Sequence, residues 1–228
     1  MKKATSFLII VLLSLPVMAN DFGFRFGLKV SPNIAWFRTE TRFYENDGVG
    51  LGYSYGLIVD YEFAENYAIT TGLNILQTGG KLTYPLNVIE NGNLEQAQMH
   101  RDHRYRHIEI PLALKLRTVE VGYITYYGKF GVGLGFLTSA FADEELRLPS
   151  GSKKIEPQVD IHDETSFLRA GLVLGAGAEY NFGGLTSLLI GLTFHNGFSN
   201  ILEQQNDAVP HTPSAHNLYL ELTLGVMF

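Results

Sequence analysis

Residues 217–228 read "NLYLELTLGVMF" and alternate without a fault. Leu218, Leu220, Leu222, Leu224, Val226 and Phe228 share one face of an extended strand, while Asn217, Tyr219, Glu221, Thr223, Gly225 and Met227 share the other, because successive side chains of a strand point to opposite faces. The first face is apolar throughout. The second carries an amide, a phenol, a carboxylate, a hydroxyl and a glycine, a set that suits water rather than a packed core. Either the oily face is buried against a second layer, or it meets lipid and the polar face lines an interior.

The same register recurs upstream in seven segments: "DFGFRFGLKV" (21–30), "GLGYSYGLIVDY" (50–61), "YAITTGLNIL" (67–76), "HIEIPLALKLR" (107–117), "YYGKFGVGLGF" (126–136), "LRAGLVLGAGAEY" (168–180) and "SLLIGLTFH" (187–195). With the closing stretch they make eight strands, an even number of the kind a transmembrane barrel uses. The strand charges test the reading. Arg25, Lys29, Asp60, Glu109, Lys115, Arg117, Lys129, Arg169, Glu179 and Glu221 all fall in the register of the small and polar residues. A charge on the lipid side at mid-bilayer costs roughly 2–4 kcal/mol, so a barrel in lipid demands this segregation.

A soluble sandwich gives the same alternation, and two further regularities separate the two. Short turns at "FAEN" (63–66), "TVEVGY" (118–123) and "NFGG" (181–184) alternate with long polar connections at 38–48, 78–104, 138–165 and 196–215. Outer-membrane barrels place short turns on the periplasmic side and long loops outside. Tyr61, Tyr67, Tyr123, Tyr126 and Tyr180 stand beside the short turns, where an aromatic girdle meets the membrane interface. The fold expected is therefore all-β: an eight-stranded antiparallel transmembrane β-barrel of the outer-membrane type, residues 20–228, with its last strand paired to its first.

Composition agrees. The opening "MKKATSFLIIVLLSLPVMAN" has Lys2 and Lys3, an apolar run from Phe7 to Val17, and small residues at Val17 and Ala19, which reads as a signal peptide over residues 1–19 that is cleaved after export. The chain has no cysteine, so disulfides and thiolate metal sites are excluded. A net charge of -6 gives no electrostatic basis for nucleic-acid binding. The chain has 24 glycines, and in series such as "GVGLG" (131–135) they alternate within strands, where they make room; a dinucleotide site needs its glycines between a strand and a helix.

Residues 104–136, "RYRHIEIPLALKLRTVEVGYITYYGKFGVGLGF", resemble the PorT-type outer-membrane β-barrel family of Bacteroidota in the order of strand, "T-x-E-x-G-Y" turn and glycine-alternating strand. "GAGAEYNFGG" (175–184) with "GLTFHNGFSNI" (191–201) is similar to its penultimate hairpin. The resemblance implies an eight-stranded barrel and, as in the namesake members, a part in type IX protein secretion.

Three groups of residues carry candidate chemistry. "MHRDHRYRH" (99–107) offers His100, His103 and His107 with Asp102, a set for a divalent metal or lipid phosphates if it is not simply a solvated loop. "FHNGFSN" places His195 within four residues of Ser199, the pair a lipid hydrolase needs, but no orienting acid follows by spacing. The strand charges read as a paired plug filling a narrow interior, with an ion path as the rival. No catalytic, cofactor or metal residue is assigned. The function expected is a non-enzymatic structural or accessory barrel in the cell outer membrane. Its partners are the lipid bilayer and secretion-system proteins met through loops or periplasmic rim, with a lipid-modifying enzyme or a narrow pore as alternatives.

Overall fold

The computed structural model describes residues 23–90, 92–184, 186–203, 206–209 and 212–228. The expected leader, residues 1–19, lies outside the described residues. The strands are β1 (Phe24–Thr39), β2 (Glu45–Gly48), β3 (Gly50–Ala64), β4 (Tyr67–Glu90), β5 (Asn93–Arg117), β6 (Ile124–Arg147), β7 (Lys153–Asp160), β8 (Leu168–Asn181), β9 (Ser187–Gly197) and β10 (Ala215–Met227), with one 3-10 turn at His162–Glu164.

Eight of these close a ring in the order β1, β3, β4, β5, β6, β8, β9, β10, every neighbour antiparallel. The closing pair runs from Gly27 opposite Met227 to Thr39 opposite Ala215. Phe228 and Phe26 extend it by exchanging backbone hydrogen bonds of 2.7 and 3.2 Å. Closure leaves the ring without a free edge.

Alternation then sorts the side chains as expected. Leu28, Leu57, Leu73, Leu112, Val132, Leu174, Ile190 and Leu224, one from each ring strand, are exposed on the outer surface. Asp60, Glu109, Lys115, Arg169, Glu179 and Glu221 are buried inside. The girdle tyrosines are exposed beside the short turns, some of them in aromatic pairs: Tyr61 with Phe24 at 4.9 Å and Tyr180 with Phe182 at 5.4 Å between ring centres.

Two of the expected loops are corrected. Most of 78–104 is the upper part of the β4–β5 hairpin, and most of 138–165 is the top of β6 with β7 paired to it. The reading of a strand there relied on an apolar outer face, and that face ends where the lipid ends although backbone pairing continues. β5 has 25 residues, more than twice the ~9–11 that a tilted strand needs to cross a bilayer. β2 pairs β4 above the end of β3, and β7 pairs β6 above the stretch that meets β8. The barrel thus continues beyond its apolar belt as a higher wall on one side.

Candidate functional site

The interior of the belt is packed with ions rather than left open. Next to the short turns, Arg25 reaches Glu179 at 2.8 Å and Glu62 at 3.6 Å, and Arg117 reaches Glu62 at 2.7 Å. Lys115 bonds Asp60 at 2.6 Å and also Glu179. Halfway up, Glu221 accepts from Lys29 at 2.8 Å and Ser54 at 2.6 Å. Higher still, Glu109 accepts from Tyr219 at 2.9 Å and Arg169 at 3.2 Å. Buried charges persist when paired and hydrogen-bonded in this way. Lys129 makes no ion pair among the described residues, and it borders a cavity of about 40 Å³ with Asn74, His195 and Glu221.

Glycines make this filling possible. A Cβ at Gly191 would collide with the Tyr127 hydroxyl, and one at Gly177 with the same phenol and the Ile190 carbonyl. Tyr127 therefore spans the interior only because β8 and β9 carry no side chain at those positions.

Above the ions, an apolar cluster closes the mouth. Phe37, Leu82, Tyr84, Met99, Tyr105, Leu137, Ile161, Ile201 and Val209 are buried together, drawn from β1, β4, β5, β6 and the segments that follow β7 and β9. A Cβ at Gly80, whose φ is +149°, would meet the Phe37 ring at 2.9 Å, so glycine there admits the ring. Arg101 clamps the cover, with Glu144 and Glu164 each at 2.6 Å and its guanidinium carbon 5.9 Å from the Tyr84 ring centre. Burial holds His103 down at about 3 and pushes the Tyr84 and Tyr105 phenols up, so this layer is neutral apart from the Arg101 group.

The histidine set of 99–107 is divided by the strand itself. His103 and His107 point inward and are buried, whereas His100 points outward. His100 Nδ1 lies 2.9 Å from Asp47 Oδ2 and 2.7 Å from Thr83 Oγ1, and these bonds hold the Asp47 carboxyl below its usual range. Asp102 pairs with Lys81 at 3.5 Å. Among the described residues, histidines and carboxylates form no group able to hold a metal ion.

The hydrolase pair is not assembled either. His195 stacks on Tyr219 inside the barrel with ring centres 4.1 Å apart. Ser199 Oγ instead accepts from the Ala170 amide at 2.9 Å. Residues the sequence reading passed over are Glu62 in the lower network, Arg101 in the cover, and Arg104 and Arg106 on the outer wall. For the three arginines the signal was period 2 within "RDHRYRH", which puts Arg101, His103, Tyr105 and His107 in one register and Asp102, Arg104 and Arg106 in the other.

A closed ring, oily outside and ionic inside, with short turns at one end, is the arrangement of a barrel in an outer membrane. The profile of the outer membrane protein β-barrel domain family matches residues 18–203. The chain belongs to that family. Solved structures of similar fold include Neisserial surface protein A, at 12% identity over 89% of this chain and 95% of that one, TM-score 0.46. Others are OprG from Pseudomonas aeruginosa, at 10% identity over 90% and 95%, TM-score 0.48, and Ail of Yersinia pestis, at 13% over 90% and 98%, TM-score 0.37. No curated protein sequence matches the chain.

For an outer-membrane barrel the ends can be assigned. Short turns and the ring's terminal pairing face the periplasm, and the raised wall of β4, β5, β6 and β7 faces outward from the cell. The exposed leucines and isoleucines of the belt meet hydrocarbon.

Proposed function

We propose that this outer-membrane barrel has a structural or accessory role, acts through its extracellular wall and periplasmic rim rather than through its interior, and serves a protein-secretion apparatus of the type IX kind. The observation that carries the first part is the filling of the interior: a column of ion pairs lies below an apolar cover, and eight strands leave an interior only wide enough for side chains. An accessory protein of this sort needs surfaces, and the β4–β5 hairpin lifts one well clear of the lipid. The secretion role draws its support from the resemblance of residues 104–136 to PorT-type barrels. Deleting the gene and comparing secreted proteins with the wild type tests it. Accumulation of normally exported proteins in the periplasm supports the role; an unchanged set of secreted proteins removes it and leaves the structural barrel.

A further inference from the structure

The outer face of β5 changes character within one step. Leu112, Ile110 and Ile108 point outward along the belt, and the next outward residues are Arg106 and Arg104. Same-face neighbours on a strand stand roughly 7 Å apart, so both guanidinium groups lie just beyond the last apolar side chain, at the depth where the head groups of the outer leaflet begin.

A groove of about 280 Å³ opens here, lined by Gln77 of β4, Arg104 and Arg106 of β5, Ser139 and Phe141 of β6, and Gln158 of β7. Its walls are held in place. Asp143 accepts from Arg104 at 2.7 Å and from the Gln158 backbone amide at 2.8 Å. Gln158 has a φ of +54°, a left-handed conformation that costs energy outside glycine and is retained where surrounding structure enforces it. Beside Arg106 the β5–β6 register shifts, and the Thr138 hydroxyl bonds the Arg106 carbonyl at 2.9 Å; such bulges re-aim side chains.

Two cations line the groove, and one of them is offset by a carboxylate. Asp143 offsets Arg104 and Asp102 offsets Lys81. Arg106 has no ion-pair partner among the described residues, and it stands over the groove with amide and hydroxyl donors on either side. A guanidinium fork flanked by neutral donors matches a tetrahedral oxyanion.

We propose that this groove binds the phosphate of an outer-leaflet lipid head group, whose acyl chains lie against Ile108 and Phe136 below it. The source is lipid rather than free phosphate because the apolar belt begins directly beneath the cation. Full-length barrel in nanodiscs doped with phosphorylated lipid A, and separately with dephosphorylated lipid A, is released and weighed by native mass spectrometry. About one phosphorylated lipid is retained per barrel and the dephosphorylated form is not. Arg106→Gln lowers retention about tenfold, the loss of one charge-assisted bidentate contact, while Lys154→Gln, on β7 away from the groove, leaves it unchanged. Equal retention of both lipids, equal loss in the two variants, or release of the lipid by 10 mM inorganic phosphate overturns the proposal. The comparison of the two lipids uses the wild-type protein and holds even if Arg106→Gln does not fold.

Discussion

His195 and Tyr219 lie ring against ring in the upper interior, 4.1 Å between centres and 12° from parallel. The stack fixes the Tyr219 hydroxyl on Glu109 at 2.9 Å, and Arg169 closes on the same carboxylate while its guanidinium carbon sits 4.8 Å from the Tyr219 ring centre. Side chains from β5, β8, β9 and β10 thus depend on one another. Tyr219→Phe deletes a donor to a buried carboxylate and is expected to cost about 1.5–3 kcal/mol; Arg169→Met leaves that carboxylate without its cation and costs about 3–5 kcal/mol. Urea unfolding from lipid vesicles measures both. The double variant should be less destabilised than the sum, since the two act on one acceptor. Strict additivity would show that the network is not a unit.

The glycines that flank Tyr127 give a test by rescue. Gly191→Ala sets a methyl group against the Tyr127 hydroxyl, and Gly177→Ala sets one against both that phenol and the Ile190 carbonyl. Both substitutions lower the yield of heat-modifiable, folded barrel. Adding Tyr127→Ala restores folding to the Gly191 variant, whose main obstacle is the phenol. It fails to restore the Gly177 variant, whose obstacle includes backbone. Rescue of both or of neither would contradict the geometry.

These positions also mark what the sequence could and could not convey. Inside the belt, lipid on one side and a narrow interior on the other impose opposite demands on alternate residues, so Leu28 against Lys29 or Leu222 against Glu221 declares the strand and its facing. Beyond the belt both faces can meet water, and Lys81 to Asn87 or Glu95 to Arg101 look like loop although the ladder continues through them. The histidines of 99–107 were legible as a group but not as a site, because adjacency in sequence means opposite faces in a strand. His195 and Ser199 failed for a related reason: the strand ends between them, and each is bound by a different neighbour. Ion pairing was the least legible feature. Which of the interior cations goes without a carboxylate depends on strand stagger, which no single strand encodes.

Lys129 is that cation, and it supplies a paired prediction. Glu221 is the carboxylate nearest to balancing the middle of the interior, through Lys29. Glu221→Gln leaves the interior Lys29 ammonium without its carboxylate and is expected to cost about 3–5 kcal/mol. Lys129→Met removes an unpaired charge from the interior and keeps the volume, so it is expected to be neutral or to raise the urea midpoint. Destabilisation by Lys129→Met comparable to that by Glu221→Gln would mean that Lys129 is held by partners of its own.

On the outer wall, acid should act on the tip of the β6–β7 hairpin. Glu145 accepts from Arg147 at 2.7 Å and lies 2.9 Å from Lys153, and the hydrogen bond from Arg147, then that from Lys153, hold its carboxyl down at about 2. A depressed folded-state value means that the tie is complete above the ordinary carboxylate range near 4.5 and is lost as pH falls through about 2. Carboxyl-carbon NMR of Glu145 should titrate in that low window, with amide exchange at 145–153 quickening there and the ring strands unaffected. Titration at the ordinary value would dissolve the pairing. Because the group lies at the surface in a hairpin tip, the effect stays local.

The two seals of the interior lie in series, and their order sets the electrical behaviour. Ions entering from outside meet the apolar cover around Phe37 and Tyr105 before they reach the Arg169–Glu109 pair and the charges below it. Wild-type protein in a planar bilayer should carry no steady current. Phe37→Ala with Tyr105→Ala opens the cover but leaves the ion column intact, so current should still be absent. Arg169→Ala thins the column but leaves the cover dry and closed, with the same result. The three substitutions together join the outside only to the cavity beside Lys129, and measurable conductance should appear only when Lys115→Ala and Arg25→Ala are added to break the pairs that close the periplasmic side. Current through the wild type, or through either seal variant alone, would place an open path where the packing puts barriers, and would favour the alternative of a narrow pore.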